Sequence, residues 1–121
     1  MRRVTHILVV EDDAATQDLL RQVLSEEGYE LLFVERLEGA AANAAPDLVI
    51  TDLVDLGRYE SGRARASVLR VQERYPVTPI IVCTGYEQAA KEPDRLGAAA
   101  VLRKPFTIEA LVQIVARLVA R

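Results

Sequence analysis

Five short stretches of the chain are apolar with little alternation: Ile7 to Val10, Leu31 to Val34, Leu48 to Thr51, Ile80 to Cys83 and Ala99 to Leu102. Continuous β-branched runs of this length suit strands buried on both faces of a parallel sheet. Between them, apolar positions recur at helical spacing. Asp13 is the expected N-cap of a first helix with Thr16, Leu19, Leu20, Val23 and Leu24 on its inner face, and Gly28 is its left-handed stop. Leu37, Ala40, Ala41 and Ala44 predict a second, short, Ala-rich helix that Pro46 ends. Ser61 and Gly62 mark the start of a third, which turns Ala64, Val68, Val71 and Tyr75 inward and closes at Pro76. From Thr84 to Gly97 the pattern thins and Pro93 interrupts it, so the fourth helix is expected to be short, late or irregular. Thr107 caps a last helix that buries Ile108, Leu111, Val112, Val115, Leu118 and Val119. This alternation predicts an α/β fold, a doubly wound five-stranded parallel sheet with five helices in three layers and right-handed crossovers.

Length and composition narrow the class. A chain of 121 residues, half of them hydrophobic and 27% charged, fits one globular domain over residues 1–121. No apolar run approaches the roughly 18 residues of a membrane span. The stretch after Arg2 and Arg3 is too short for a signal-peptide core and runs into Glu11, Asp12 and Asp13. The single cysteine, Cys83, has no disulfide partner within the chain and reads as a reduced core thiol. A cytoplasmic location is therefore expected. The net charge of −3 offers no basis for direct nucleic-acid binding, and the Arg58, Arg63, Arg65 and Arg70 group reads as a solvated helix face.

Ligands of an open parallel sheet bind beyond the carboxyl ends of the strands, close to where the strand order reverses. The residues just past each strand are therefore informative. The first strand ends in Glu11, Asp12 and Asp13, the third in Asp52, the fourth in Thr84 and Gly85, the fifth in Arg103, Lys104 and Pro105. If the first and third strands are neighbours, their carboxylates converge into a hard-oxygen cluster suited to Mg²⁺. Lys104 and the Thr84 hydroxyl could then reach an oxyanion lodged beside it. Singly these are ordinary loop and cap residues; their conjunction at four strand ends describes a phosphoryl site.

Over essentially the whole chain these residues resemble the response-regulator receiver domains. ILVVEDD at Ile7 to Asp13 is similar to the family's first strand and acidic pair, and PDLVITD at Pro46 to Asp52 to its phosphoacceptor strand. PIIVCTG resembles the strand carrying the switch hydroxyl, and RKPF at Arg103 to Phe106 the Lys-Pro motif. The resemblance implies a flavodoxin-like strand order 2-1-3-4-5 and a cis bond between Lys104 and Pro105. It makes Asp52 the phosphoacceptor, Thr84 the hydroxyl that follows the phosphoryl group and Lys104 its charged partner. Mg²⁺ would be held by Glu11, Asp12, Asp52 and the Val54 carbonyl, with Asp13 left as a helix cap. The implied partner is a sensor histidine kinase or phosphotransfer protein, a homodimer is possible, and the domain signals through self-catalysed phosphotransfer and dephosphorylation instead of acting as an enzyme.

Three features depart from the family pattern. No proline follows Asp52 in Leu53 to Gly57; Val101 stands where an aromatic is usual; and the segment from Tyr86 to Leu96 is short and carries Pro93. They motivate an alternative, a degenerate receiver that binds partners without phosphorylation. An aspartyl phosphatase fits less well, because Val54 occupies the place of its second aspartate. Flavodoxin-like cofactor binding would need a glycine- or hydroxyl-rich loop where Glu11 to Ala14 stand. His6 reads as structural or partly exposed, and Tyr59 and Tyr86 as flanking the site mouth, Tyr86 either screening water or packing.

Overall fold

In the computed structural model, which describes residues 4–41, 44–53 and 58–120, all strands run parallel in the order β2-β1-β3-β4-β5. They are β1 (His6–Val10), β2 (Glu30–Val34), β3 (Leu48–Asp52), β4 (Ile80–Thr84) and β5 (Ala100–Arg103). In register, Asp52 lies opposite Cys83 and Thr84 opposite Arg103. The order reverses between β1 and β3, so the crevice at their carboxyl ends is where this architecture places a ligand.

The helices are α1 (Ala14–Glu26), α2 (Ser61–Arg74), α3 (Glu87–Ala90), α4 (Pro93–Leu96) and α5 (Ile108–Val119). Strand side chains alternate between the two faces. Ile7, Val9, Leu48, Ile50, Ile81 and Cys83 meet Leu20, Leu24, Leu111 and Val115 of α1 and α5. Leu8, Val10, Val49, Ile80 and Val82 meet Ala64, Val68 and Val71 of α2, with Ala89 and Leu96 of α3 and α4. Two apolar cores on either side of one sheet explain why the central strands read as unbroken apolar runs.

Local signals placed most helix ends correctly. The Asp13 carboxylate accepts from the Thr16 backbone N–H at 2.9 Å, and the Thr107 hydroxyl from Ala110 N–H at 3.0 Å. Gly28 has φ +89°, and Tyr29 N–H returns to the Leu24 carbonyl at 3.3 Å. The N-cap of α2 is Glu60, one residue before the expected start, and its carboxylate accepts from Gly62 N–H at 2.9 Å. The second predicted helix is a correction: the Ala-rich stretch makes one 3-10 turn at Leu37–Gly39, with Ala40 buried beyond it. Alanine side chains bury little apolar surface, and a short helix depends on such burial more than on propensity; Ala42 and Asn43 lie outside the described residues. The fourth helix is split into two single turns, because Pro93 lacks an N–H to continue α3 and instead starts α4 in its first turn. The Lys104–Pro105 bond is cis, as the resemblance implied. Among the described residues, no helix is long and apolar enough to cross a membrane.

Candidate functional site

The crevice is assembled from the ends of β1, β3, β4 and β5. Beyond β1, Glu11 N–H donates to the Val34 carbonyl at 3.0 Å, which keeps the backbone in the sheet and turns the Glu11 side chain inside, 2% exposed. A buried carboxylate requires partners. Glu11 Oε1 accepts from Lys104 Nζ at 2.9 Å, and Oε2 from Asp13 N–H at 3.2 Å. Lys104 also stands 3.9 Å from Asp52 Oδ2. Burial pulls the Lys104 ammonium down, but the Glu11 hydrogen bond and the charges of Asp52 and Glu11 outweigh it and raise its pKa.

Asp52 ends β3 and is half-buried. Burial, a hydrogen bond with Glu11 and the Glu11 charge push its pKa up to about 6, against the opposing pull of Lys104 and the Leu53 N–H. Asp12 is exposed, yet oxygens of Glu11, Asp12 and Asp52 all lie within 4.8 Å of one another. Three hard-oxygen donors facing one ammonium leave an anionic excess that a divalent cation such as Mg²⁺ fits in both charge and ligand type. Val54, expected to add a backbone oxygen, lies outside the described residues. Asp13 points away into the α1 cap, where the hydrogen bonds from the Thr16 hydroxyl and N–H hold its pKa below the usual value.

Thr84 closes β4 and is 1% exposed. Its hydroxyl accepts from Tyr86 N–H at 3.1 Å, while its carbonyl accepts from Lys104 N–H at 2.7 Å, joining the ends of β4 and β5. The rings of Tyr86 and Tyr59 lie 5.3 Å apart at 43°, and both pack with Val101 against the α2 side of the core. The Tyr59 hydroxyl donates to Glu92 Oε1 at 2.7 Å, and the Ser61 hydroxyl reaches the same oxygen. Sequence reasoning named both tyrosines but missed Glu92. No periodicity marks it, and only its position before Pro93 hinted at a loop. His6 is exposed at the far end of β1, within 3.0 Å of Glu30.

The raised Asp52 pKa has a checkable consequence. A carboxyl group whose folded-state value exceeds its unfolded one contributes stability below the unfolded value, and that contribution is lost as pH rises through about 6. In EDTA the fold is therefore expected to be less stable at pH 7.5 than at pH 5. After allowance for solvent on the open side, the difference should be about 1–2 kcal/mol. Urea midpoints should show the difference shrinking in Asp52→Asn. An equal pH effect in both proteins would assign it elsewhere.

A doubly wound parallel sheet with an acidic crevice at the β1/β3 reversal defines a flavodoxin-like α/β domain whose carboxylate cluster suits a divalent cation. The chain belongs to the response regulator receiver domain family, whose model matches residues 7–116. It is 36% identical over 123 residues to the DNA-binding transcriptional regulator NtrC of Bradyrhizobium, covering 94% of this chain and 24% of that protein. It is 37% identical over 116 residues to the response regulator protein FleR of Pseudomonas aeruginosa, covering 92% of this chain and 24% of that one. The chain thus spans about a quarter of the length of these curated relatives. Among solved structures, the chemotaxis response regulator CheY4 of Vibrio cholerae matches with a TM-score of 0.73 and 25% identity, covering 96% of this chain and 99% of that one. NtrX from Brucella abortus matches with a TM-score of 0.79 and 27% identity over 98% of this chain and 27% of that one. The chain is a receiver domain of two-component response regulators, a signalling domain as opposed to a conventional enzyme.

Proposed function

We propose that the chain acts as one receiver module in which Asp52 accepts a phosphoryl group from a phosphohistidine on a sensor kinase or phosphotransfer protein. The observation that carries this reading is the meeting of the Glu11, Asp12 and Asp52 carboxylates with the Lys104 ammonium at the β1/β3 crevice. Glu11, Asp12, Asp52 and the Val54 carbonyl would hold Mg²⁺, which when bound offsets the negative charge of the transferring group. Asp52, with a pKa of about 6, is largely ionised at neutral pH and serves as the nucleophile. Its oxygen bonds to phosphorus as the bond from phosphorus to the imidazole nitrogen breaks, and the imidazole leaves with that electron pair. Lys104 lies close enough to stabilise the phosphoryl oxygens, and the Thr84 hydroxyl, at the end of the strand beside Asp52, donates to one of them.

Hydrolysis of the acyl phosphate in the same crevice would end the signal, with Tyr59 and Tyr86 limiting the approach of water. The output is a change in partner binding, and the cytoplasm is the compartment where such a donor would meet it. Val101 favours a second reading, a receiver that binds partners without phosphorylation, and one experiment separates the two. Acetyl phosphate with Mg²⁺ is expected to add one phosphoryl group, detected by intact mass and mapped to Asp52, but none in EDTA or in Asp52→Asn. No adduct under any condition would favour the phosphorylation-independent reading, and an adduct on another residue would overturn the assignment of Asp52.

A further inference from the structure

The end of β4 is tethered to a polar latch on the other side of Tyr86. Thr84 Oγ1 accepts from Tyr86 N–H, and the Tyr86 ring lies against Tyr59. Tyr59 precedes α2 on the chain segment that follows Asp52. Its hydroxyl is held by Glu92, between α3 and α4, and Glu92 also accepts from Ser61 and stands 3.8 Å from Arg95. The Glu92 side chain is 17% exposed, and its bond to Tyr59 is part-buried. Hydrogen bonds from Ser61 and Tyr59 keep the Glu92 carboxyl ionised by lowering its pKa, and a charged acceptor makes the stronger bond.

A hydroxyl can donate one hydrogen bond while accepting another. Thr84 can therefore donate to a phosphoryl oxygen without giving up Tyr86 N–H, and the backbone at residue 86 follows the hydroxyl. Val101, packed against the same core cluster as these rings, has no ring to refill space that Tyr86 leaves. The displacement falls on the tilted ring contact with Tyr59, and through Tyr59 on Glu92.

We propose that Tyr59 is a positioning residue for the phosphoryl site: held by Glu92 against Tyr86, it resists the movement of Thr84 and transmits that movement to α3 and α4. This rests on the reading of Asp52 as phosphoacceptor. A ligand that draws Thr84 inward must break or shift the latch, so weakening the latch favours the ligand.

The test is titration with beryllofluoride and Mg²⁺, followed by backbone amide shifts in the full chain. In the wild-type protein, Thr84 to Tyr86 and residues 87–97 are expected to respond together. Tyr59→Phe keeps the ring and removes the donor; it should bind about five-fold more tightly, the lower end of ordinary coupling between sites, and lose most of the response at residues 87–97. Glu92→Ala should behave likewise, whereas Glu92→Gln, whose neutral carbonyl still accepts from Tyr59 through a weaker bond, should fall between Glu92→Ala and wild type in both affinity and shifts. A merely structural role would leave affinity unchanged or weaken it. Wild-type affinity and wild-type shifts in both Tyr59→Phe and Glu92→Ala, or weaker binding in either, overturn the latch while leaving Asp52 as acceptor. A wild-type chain with no Mg²⁺-dependent response at Asp52 or Thr84 removes both readings.

Discussion

Replacing Lys104 by methionine should lower the stability of the fold in EDTA by about 2–4 kcal/mol, a little less than the loss typical of a fully buried ion pair. Glu11 is 2% exposed and would keep the Asp13 N–H as its hydrogen-bond donor, while the repulsion from Asp52 would no longer be offset. The Lys104 side chain is 27% exposed, which is why the loss should fall below the fully buried limit. Methionine retains an apolar stem beside Thr16, Pro105 and Phe106, so lost packing contributes little. Because the deficit is one of positive charge, millimolar Mg²⁺ should recover much of it, and more in the variant than in the wild type. Urea midpoints of both proteins with EDTA and with Mg²⁺ provide the measurement. An unchanged midpoint in EDTA would show that the Glu11–Lys104 pair contributes no net stability.

Asp12→Ala is expected to weaken Mg²⁺ binding by about a hundred-fold, the upper end of what loss of even an outer-shell partner of a metal costs. Asp12 is exposed, so its removal leaves no buried group unpaired and relieves repulsion among three crowded carboxylates. The metal-free fold should be as stable as wild type or more so. Asp13→Ala should do the opposite, leaving Mg²⁺ affinity within a few-fold but lowering the urea midpoint through loss of the α1 cap. Calorimetric titration together with urea midpoints would separate the two positions. Equal Mg²⁺ affinity in wild type and Asp12→Ala would remove Asp12 from the ligand set.

The neighbouring positions Asp12 and Asp13 show how far local information reaches. That Asp13 caps α1 was legible because capping involves residues three apart, and Thr16 lies at that distance. The stop at Gly28, the cap at Thr107 and the unbroken apolar runs of β1, β3 and β4 are of the same kind. Each concerns backbone groups or side-chain periods within a few residues. The types of residue at the strand ends were equally plain: carboxylates after β1 and β3, a hydroxyl after β4, a lysine after β5.

Whether those groups meet is not a local matter. Only the placement of β3 beside β1 and β4 brings Asp52 within reach of Glu11 and Lys104, which lie 41 and 52 positions from it along the chain. Only that convergence buries Glu11 and raises the Asp52 pKa, because desolvation and charge coupling depend on distance through space. Among the described residues of the Ala-rich segment only the 3-10 turn Leu37–Gly39 forms, since a helix with so little apolar surface gains little by docking. Tertiary packing also recruited Glu92 to Tyr59 across 33 residues, a contact that no periodicity records. Short-range chemistry along the chain thus settles the elements and the groups available at their ends, whereas the order in which the strands pair settles which of those charges share one crevice.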